Sequence, residues 1–232
     1  MTDALLQISA LEKRYPTKWG GPVLALCGID LTLRRGDFLA LRGPSGCGKT
    51  TLLHCVGALL RPDGGKVLID GIDPYALGSS ARSAFRAAKV GFVFQNFHLV
   101  PYLSVLDNVM LCALAGGPRS HLETQARDLL EKFRLSHRLR HRPSELSVGE
   151  QQRVALVRAV AGGAKLILAD EPTGNLDAEN GGILLDQLAA FAADGGAVLM
   201  VTHDPAASDR AGHRRNMQDG RLTAATNDSD AN

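Results

Sequence analysis

Apolar and polar residues alternate over residues 5–11 and again over 24–33, the period of strands with one face in a core and the other toward water. Residues 66–71 repeat the pattern after Arg61-Pro62-Asp63-Gly64-Gly65, whose proline and glycines predict a turn. Four other runs are short and almost wholly apolar: Phe38-Leu39-Ala40-Leu41, Val90-Gly91-Phe92-Val93-Phe94, Leu166-Ile167-Leu168-Ala169 and Ala197-Val198-Leu199-Met200-Val201. Such runs suit strands covered on both faces, and 90–94 in particular reads as a central parallel strand. Helical periods lie between them, at 50–60, over most of 103–145 with breaks at Gly116-Gly117-Pro118 and Arg142-Pro143, and after Gly149. Strands alternating with helices predict an α/β domain whose parallel sheet is joined by right-handed crossovers. The stretch 103–145 interrupts that alternation and reads as an inserted helical subdomain.

At 232 residues the chain has the length for one sizeable domain. Its 45% hydrophobic and 22% charged residues fit a globular protein, and a net charge of +2 favours neither nucleic acid nor anionic lipid. Cys27, Cys47, Cys55 and Cys112 lack metal-ligand spacing and read as reduced thiols of a cytosolic chain. Met1-Thr2-Asp3-Ala4 has no charged n-region followed by an apolar stretch, so no signal peptide is expected. No run approaches the roughly 18 apolar residues of a membrane span, so work at a membrane is expected to go through a partner. The last ten residues are small and polar and predict a disordered tail at 223–232.

The chemistry begins at Gly43-Pro44-Ser45-Gly46-Cys47-Gly48-Lys49-Thr50, which fits the phosphate-loop pattern G-x-x-x-x-G-K-[ST]. Glycines let backbone N–H groups converge on phosphate oxygens, the lysine reaches the β/γ-phosphates, and the Thr50 hydroxyl is placed to ligate Mg²⁺. A buried strand precedes the loop and a helix follows it, so the helix N-terminus adds partial positive charge. Thr51 completes the expected binding set. Cys47, beside that N-terminus, is expected to be a reactive thiol shielded by nucleotide. A second element is the apolar strand ending in Asp170-Glu171. Ligands of open α/β sheets lie beyond the carboxyl ends of strands. Asp170 is therefore expected at the metal, and Glu171, one residue further out, at an attacking water.

Leu146-Ser147-Val148-Gly149-Glu150-Gln151-Gln152-Arg153 resembles the LSGGQ signature of ABC ATPases. The other motifs of that family follow in order over residues 5–222. Gln95 resembles the Q-loop glutamine, Asn175-Leu176-Asp177 the D-loop, and His203 the switch histidine; Tyr15 is the expected adenine-stacking aromatic, with Trp19 as the alternative. Gly91-Phe92-Val93-Phe94-Gln95, Asp107-Asn108-Val109 and Pro172-Thr173-Gly174-Asn175-Leu176-Asp177 are similar to the branch containing MacB, LolD and FtsE. The resemblance implies a P-loop NTPase fold with a RecA-like parallel core, an N-terminal antiparallel β subdomain and a helical signature subdomain. It implies one nucleotide-binding domain at 1–222, with its core at 1–96 and 159–222 and the helical part at 97–158. It further implies ATP and Mg²⁺ as ligands, with Thr50, Gln95 and Asp170 at the metal and Lys49, Glu171 and His203 in catalysis.

The implied working unit is a head-to-tail, ATP-dependent homodimer in which Ser147, Val148, Gly149 and Glu150 face the partner's nucleotide and the D-loop Asp177 lies nearby. The implied partner is an integral membrane permease, which would hold the chain at the cytoplasmic face of the cell membrane. Nucleic acid is not expected as a partner. Two functions remain open at this point: a motor for export or extraction of a lipoprotein or lipophilic substrate, and a mechanical signalling module acting on a membrane partner without transport. DNA-repair and chromosome-organising relatives carry long coiled coils or zinc inserts that this chain lacks, and no Asn-Lys-x-Asp guanine-reading motif is present. Val148 and Glu150 stand where the family pattern has glycine and glutamine. A β-branched residue rarely adopts positive φ, so ordinary backbone is expected at 148, with extra bulk slowing closure of the dimer. Residues 213–217 are more polar than the family's terminal strand and predict a weak edge strand. The basic stretch 134–142 and Glu123 read as solvated faces.

Overall fold

The computed structural model describes residues 4–17, 21–112 and 119–223. The first two alternating segments form long antiparallel strands, β1 (Ala4–Tyr15) and β2 (Val23–Arg34), and β4 (Gly64–Ile69) pairs with the other edge of β1. Their three-stranded sheet runs β2-β1-β4. β4 begins at Gly64, two residues inside the segment expected to be a turn.

The apolar runs build a second sheet from β3 (Phe38–Arg42), β5 (Val90–Phe94), β6 (Leu166–Asp170), β7 (Ala197–Val201), β8 (His213–Gln218) and β9 (Arg221–Thr223), in the order β5-β6-β7-β3-β8-β9. All pairs are parallel except β8-β9. β5 is thus the margin of the sheet, not a central strand. Its apolar character comes from helices, because α2 (Ser79–Lys89) and α5 (Val148–Ala161) pack against it. A Cβ on Gly91 would come 3.0 Å from the carbonyl carbon of Ala159 in α5, so glycine is what lets α5 lie this close. Conversely, β8 lies between β3 and β9. It is only half an edge, because β9 pairs with Asn216, Met217 and Gln218 and leaves the polar start of β8 uncovered on that side. Thr223, the first residue of the expected tail, closes β9, and the rest of that tail lies outside the described residues.

Register explains where a site forms. Phe94, Asp170, Val201 and Leu41 stand abreast across β5, β6, β7 and β3. The next residues, Gln95, Glu171 and Thr202, therefore leave the sheet along one edge, while β3 runs one residue further, with Arg42 against Asn216 of β8, before the phosphate loop; His203 follows Thr202 at the same edge.

Among the described residues, three apolar clusters hold the molecule together. One joins the antiparallel sheet, α1 (Lys49–Val56) and one face of the parallel sheet through residues such as Leu6, Leu26, Leu52 and Leu168. The second joins the other face to α6 (Ala178–Ala193) and α7 (Pro205–Asp209) through Ile167, Leu184, Leu188 and Met200. The third is confined to α3 (Val105–Met110), α4 (Arg119–Lys132), α5 and the turns between them. This last cluster is the physical content of the expected helical subdomain. α5 serves two clusters, with Leu156 in the second and Val154 and Val157 in the third, so the expected boundary at 158/159 falls inside one continuous helix. Helix α2 was not foreseen; its single buried residue, Phe85, makes a weak sequence signal. The break expected at Gly116-Gly117-Pro118 lies outside the described residues. No described helix is long and apolar enough to cross a membrane.

Candidate active site

The phosphate loop runs from the end of β3 to the start of α1. Gly48 caps α1 with φ 109°, and a Cβ there would press on the Ala25 carbonyl and within 2.8 Å of the Met217 methyl. Gly46 is also left-handed, at φ 80°. The first helical bond is Leu52 N–H to the Gly48 carbonyl, 2.9 Å, so the N–H groups of Lys49, Thr50 and Thr51 precede the ladder. No side chain caps this end and no acid lies in its first turn, leaving the positive end of the helix for an anion. Pro44, Ser45 and Gly46 are exposed, whereas Lys49 is 9% exposed. Its ammonium donates to the Gly43 carbonyl (2.7 Å) and the Pro44 carbonyl (2.9 Å). The Cys47 side chain turns inward at 6% exposure and joins the core. Its Sγ lies 3.8 Å from Lys49 Nζ beneath the loop, and this burial corrects the expectation of a thiol open to reagents.

Asp170 and Glu171 divide at the end of β6. Thr50 Oγ1 donates to Asp170 Oδ1 at 3.4 Å. Burial raises the Asp170 pKa above its ordinary value of 3.8; the Thr50 hydrogen bond opposes this and the neighbouring Glu171 charge adds to it. Glu171 has left-handed backbone, φ 46°, a conformation that costs a non-glycine residue about 1–2 kcal/mol. Its N–H continues the ladder to the Val201 carbonyl (3.0 Å) and its carbonyl accepts from Gly174 (3.1 Å). The carboxylate meets His203 twice, at Nδ1 (2.9 Å) and at the backbone N–H (3.3 Å). The His203 ring is 74% exposed and the Glu171 side chain 19%, so a recessed acid stands behind an accessible imidazole.

The raised Asp170 pKa gives a stability prediction. The folded state holds the Asp170 proton more tightly than the unfolded chain does, so this group costs stability as pH rises from 3.8 through its folded pKa, and the cost persists at neutral pH. Asp170→Asn keeps the Thr50 acceptor without the charge. It is expected to raise the thermal midpoint of the chain by on the order of 1–3 °C. Calorimetry at pH 7 checks it, and a lower midpoint would contradict the burial argument.

Gln95, expected at the metal, is held elsewhere. Its side-chain Nε2 donates to Asn175 Oδ1 (3.3 Å) and its carbonyl accepts from Asn175 Nδ2 (3.0 Å). Asp177 is the N-cap of α6 and accepts from the Asn180 N–H (2.8 Å). Tyr15 ends β1 at 39% exposure, with Lys13 Nζ 5.9 Å from its ring centroid. The alternative, Trp19, lies outside the described residues.

The signature motif begins α5 earlier than expected, since Ser147 is the N-cap and Val148 the first helical residue. Val148 is 47% exposed with no positive φ, the ordinary backbone anticipated for valine. Glu150 is not free to face a nucleotide. Its carboxylate accepts from Ser147 N–H (2.8 Å) and Arg138 Nε (2.8 Å), and its own N–H donates to Ser147 Oγ (3.2 Å). This reciprocal box was legible as Ser-x-x-Glu. Burial works against the Glu150 charge, yet the Ser147 N–H and Arg138 guanidinium hold its pKa below the ordinary 4.5. Arg138, in the stretch read as a solvated face, is thus part of the signature. Gln152, 1% exposed, donates to the Pro172 carbonyl (2.8 Å) just after Glu171, a link that sequence reading missed because a lone glutamine carries no pattern.

The geometry collects, at one end of a parallel sheet, an anion-receptive loop with a lysine, a hydroxyl beside a carboxylate, and a second carboxylate paired with histidine. Similarity to known proteins agrees. The family profile described as "ABC transporter" matches residues 26–174. The lipoprotein-releasing system ATP-binding protein LolD 1 of Rhodopirellula baltica is 44% identical over 220 residues, covering 94% of this chain and 96% of that protein. LolD 2 of Caulobacter vibrioides is 45% identical over 206 residues, covering 88% and 90%. Among solved structures, the dimeric bacterial ABC transporter cassette MJ0796 superposes with a TM-score of 0.84 at 32% identity, covering 96% of this chain and 99% of that one. A post-hydrolysis state of that cassette with ADP and Pi superposes at 0.81, with the same identity and coverage. The chain belongs to the ABC transporter family, as one of its ATP-binding and ATP-hydrolysing subunits.

Proposed function

We propose that this chain is the ATPase of a system that releases lipoproteins from a membrane through a separate permease, with residues 1–222 acting as one nucleotide-binding domain. The observation that carries the reading is near full-length similarity to lipoprotein-releasing ATP-binding proteins. The loop, strand-end acids and histidine supply the machinery for ATP. Two chains would pair, the related cassette being dimeric, and here the pairing would be head to tail, with each phosphate loop facing the other's Ser147 and Gly149.

Phosphoryl transfer needs alignment and charge neutralisation more than covalent help. Lys49 exchanges the Gly43 and Pro44 carbonyls for phosphate oxygens, and the N–H groups of 46–51 take the remaining acceptors. Tyr15 stacks on the base. Thr50 and Asp170 fit a hard divalent cation such as Mg²⁺. The hydroxyl and carboxylate are 3.4 Å apart, both are oxygen donors, and among the described residues the half-buried carboxylate has no cationic hydrogen-bond partner. When bound, such an ion neutralises charge on the phosphates. Gln95, once released from Asn175, would add its side-chain carbonyl to the oxygen donors that hold such an ion. Glu171 orients the attacking water and accepts its proton, and His203, held by the same carboxylate, reaches the γ-phosphate. Across the interface, Ser147 Oγ accepts within its own cap and so keeps its hydrogen for a phosphate oxygen, while Val148 and Gly149 offer N–H groups at the positive end of α5.

The test is reconstitution. The chain and the membrane protein that co-purifies with it, placed in proteoliposomes with a labelled lipoprotein, are expected to shed that lipoprotein into solution with an acceptor only when ATP is present. ATP consumption without release would overturn the assignment to lipoproteins while leaving the ATPase assignment standing.

A further inference from the structure

We infer that Asn180 is a positioning residue that latches the Asp177 turn to the start of the signature helix within a single chain, and that Gly149 is glycine in part to admit the Asn180 carboxamide. Asn180 lies one turn into α6 and is only half-buried, yet its side chain meets two motifs at once. Its Nδ2 donates to both carboxylate oxygens of Asp177, at 3.1 and 2.8 Å, and its Oδ1 accepts from Arg153 Nη1 of α5 at 3.4 Å. The same carboxamide occupies the space over Gly149. A Cβ built there would collide with Oδ1 and stand 2.6 Å from Cγ and 3.2 Å from Nδ2. Gly149 has no positive φ, so backbone freedom does not explain its glycine, whereas this close approach does.

The Asp177 carboxylate is held below its ordinary pKa first by the Asn180 N–H and then by the Asn180 side chain, which keeps it charged and fixed in direction. A second tie runs parallel to the first, from buried Gln152 of α5 to the Pro172 carbonyl beside Glu171. The signature helix is thereby joined to the segment 171–180 at both ends. Under the head-to-tail reading, on which this inference rests, the signature and the Asp177 turn both work at the partner's nucleotide. Asn180 keeps them in one fixed relation, so that engagement of one presents the other.

Two variants separate positioning from space filling. Asn180→Asp has the same shape but loses the donor and sets a like charge against Asp177, and Asn180→Ala removes the group. Both are expected to lower kcat about two- to thirtyfold, with ATP affinity of the dilute monomer at the parental value because the phosphate loop is untouched. Asn180→Asp with parental kcat would mean that the carboxamide only fills space, and would overturn the inference. Gly149→Ala is expected to be impaired by collision with its own Asn180. Adding Asn180→Ala to it is expected to restore kcat to that of Asn180→Ala alone, and a double variant no better than Gly149→Ala overturns the role given to Gly149. Light scattering on the parental chain separates the two levels. A chain that stays monomeric in ATP, with turnover strictly proportional to protein concentration, overturns the head-to-tail reading and this inference with it. A parental ATP-bound dimer accompanied by full kcat in both Asn180 variants overturns the inference alone.

Discussion

Glu171→Gln is expected to lower ATP turnover by about 10²–10⁴, the range for loss of a general base, and to leave ATP binding intact. The substitution keeps size and keeps an acceptor for the His203 N–H, which lies 3.3 Å from the carboxylate. What it removes is the charge that attracts a proton from water. Lys49, Thr50 and Asp170 are unaltered, so nucleotide and cation remain bound. Under the proposed head-to-tail pairing, with hydrolysis blocked, ATP is expected to persist between the Lys49 of one chain and the Ser147 and Gly149 of the other. Size exclusion with light scattering is therefore expected to give a monomer without nucleotide and a long-lived dimer with ATP. Turnover at the parental rate would remove Glu171 from the role of base. Loss of turnover in a chain that remains monomeric in saturating ATP would retain the base and discard the nucleotide-bridged dimer of the isolated subunit.

Lys49→Ala is expected to abolish hydrolysis and also to weaken nucleotide binding, which distinguishes it from Glu171→Gln. The lysine supplies the positive side-chain charge of the loop, and the ammonium already lies among the backbone groups that would surround phosphate. Removing it takes the ammonium from the Gly43 and Pro44 carbonyls, of which Pro44 keeps the Cys47 N–H at 3.3 Å. Gly43 is half-exposed and Pro44 exposed, so water replaces the ammonium at a cost of about 1 kcal/mol. The fold is expected to survive with a slightly lower thermal midpoint. Phosphate release and nucleotide titration check the first two claims, and calorimetry the third. A variant that hydrolyses ATP at the parental rate would place the lysine outside the site.

The parts of this site legible in the sequence were those whose spacing is fixed by local geometry. A phosphate loop must be short, glycine-rich and followed by a helix, so Gly43 to Thr50 declared itself. Asp170-Glu171 declared itself because two acids at the end of an apolar strand fall at the carboxyl edge of the sheet, where ligands of α/β folds lie. Position across the sheet was not legible, since strand order depends on crossovers whose length says nothing of direction. Val90–Phe94 therefore read as central although it is the margin, its hydrophobicity coming from α2 and α5. Side-chain partnership across long separations was equally hidden. Gln95 finds Asn175, Arg138 finds Glu150, and Gln152 finds Pro172; none of these pairs has a period or a motif to announce it. Glu150 was expected to face the partner's nucleotide, although here a local pattern existed. Its identity departs from the family pattern, but Ser147-x-x-Glu150 is a capping box in its own right, and the structure uses it as one.

The dual packing of α5 has a mechanical consequence. A helix of 14 residues is a rod of about 21 Å, and this one is clamped along its length, Leu156 against the sheet side and Val154 and Val157 against the helical side. A rod gripped on two flanks does not bend at its middle. Force applied to the helical cluster, for example by a permease, is carried to the tip bearing Ser147 and Gly149 as a displacement of the whole strut, with little lost to deformation on the way.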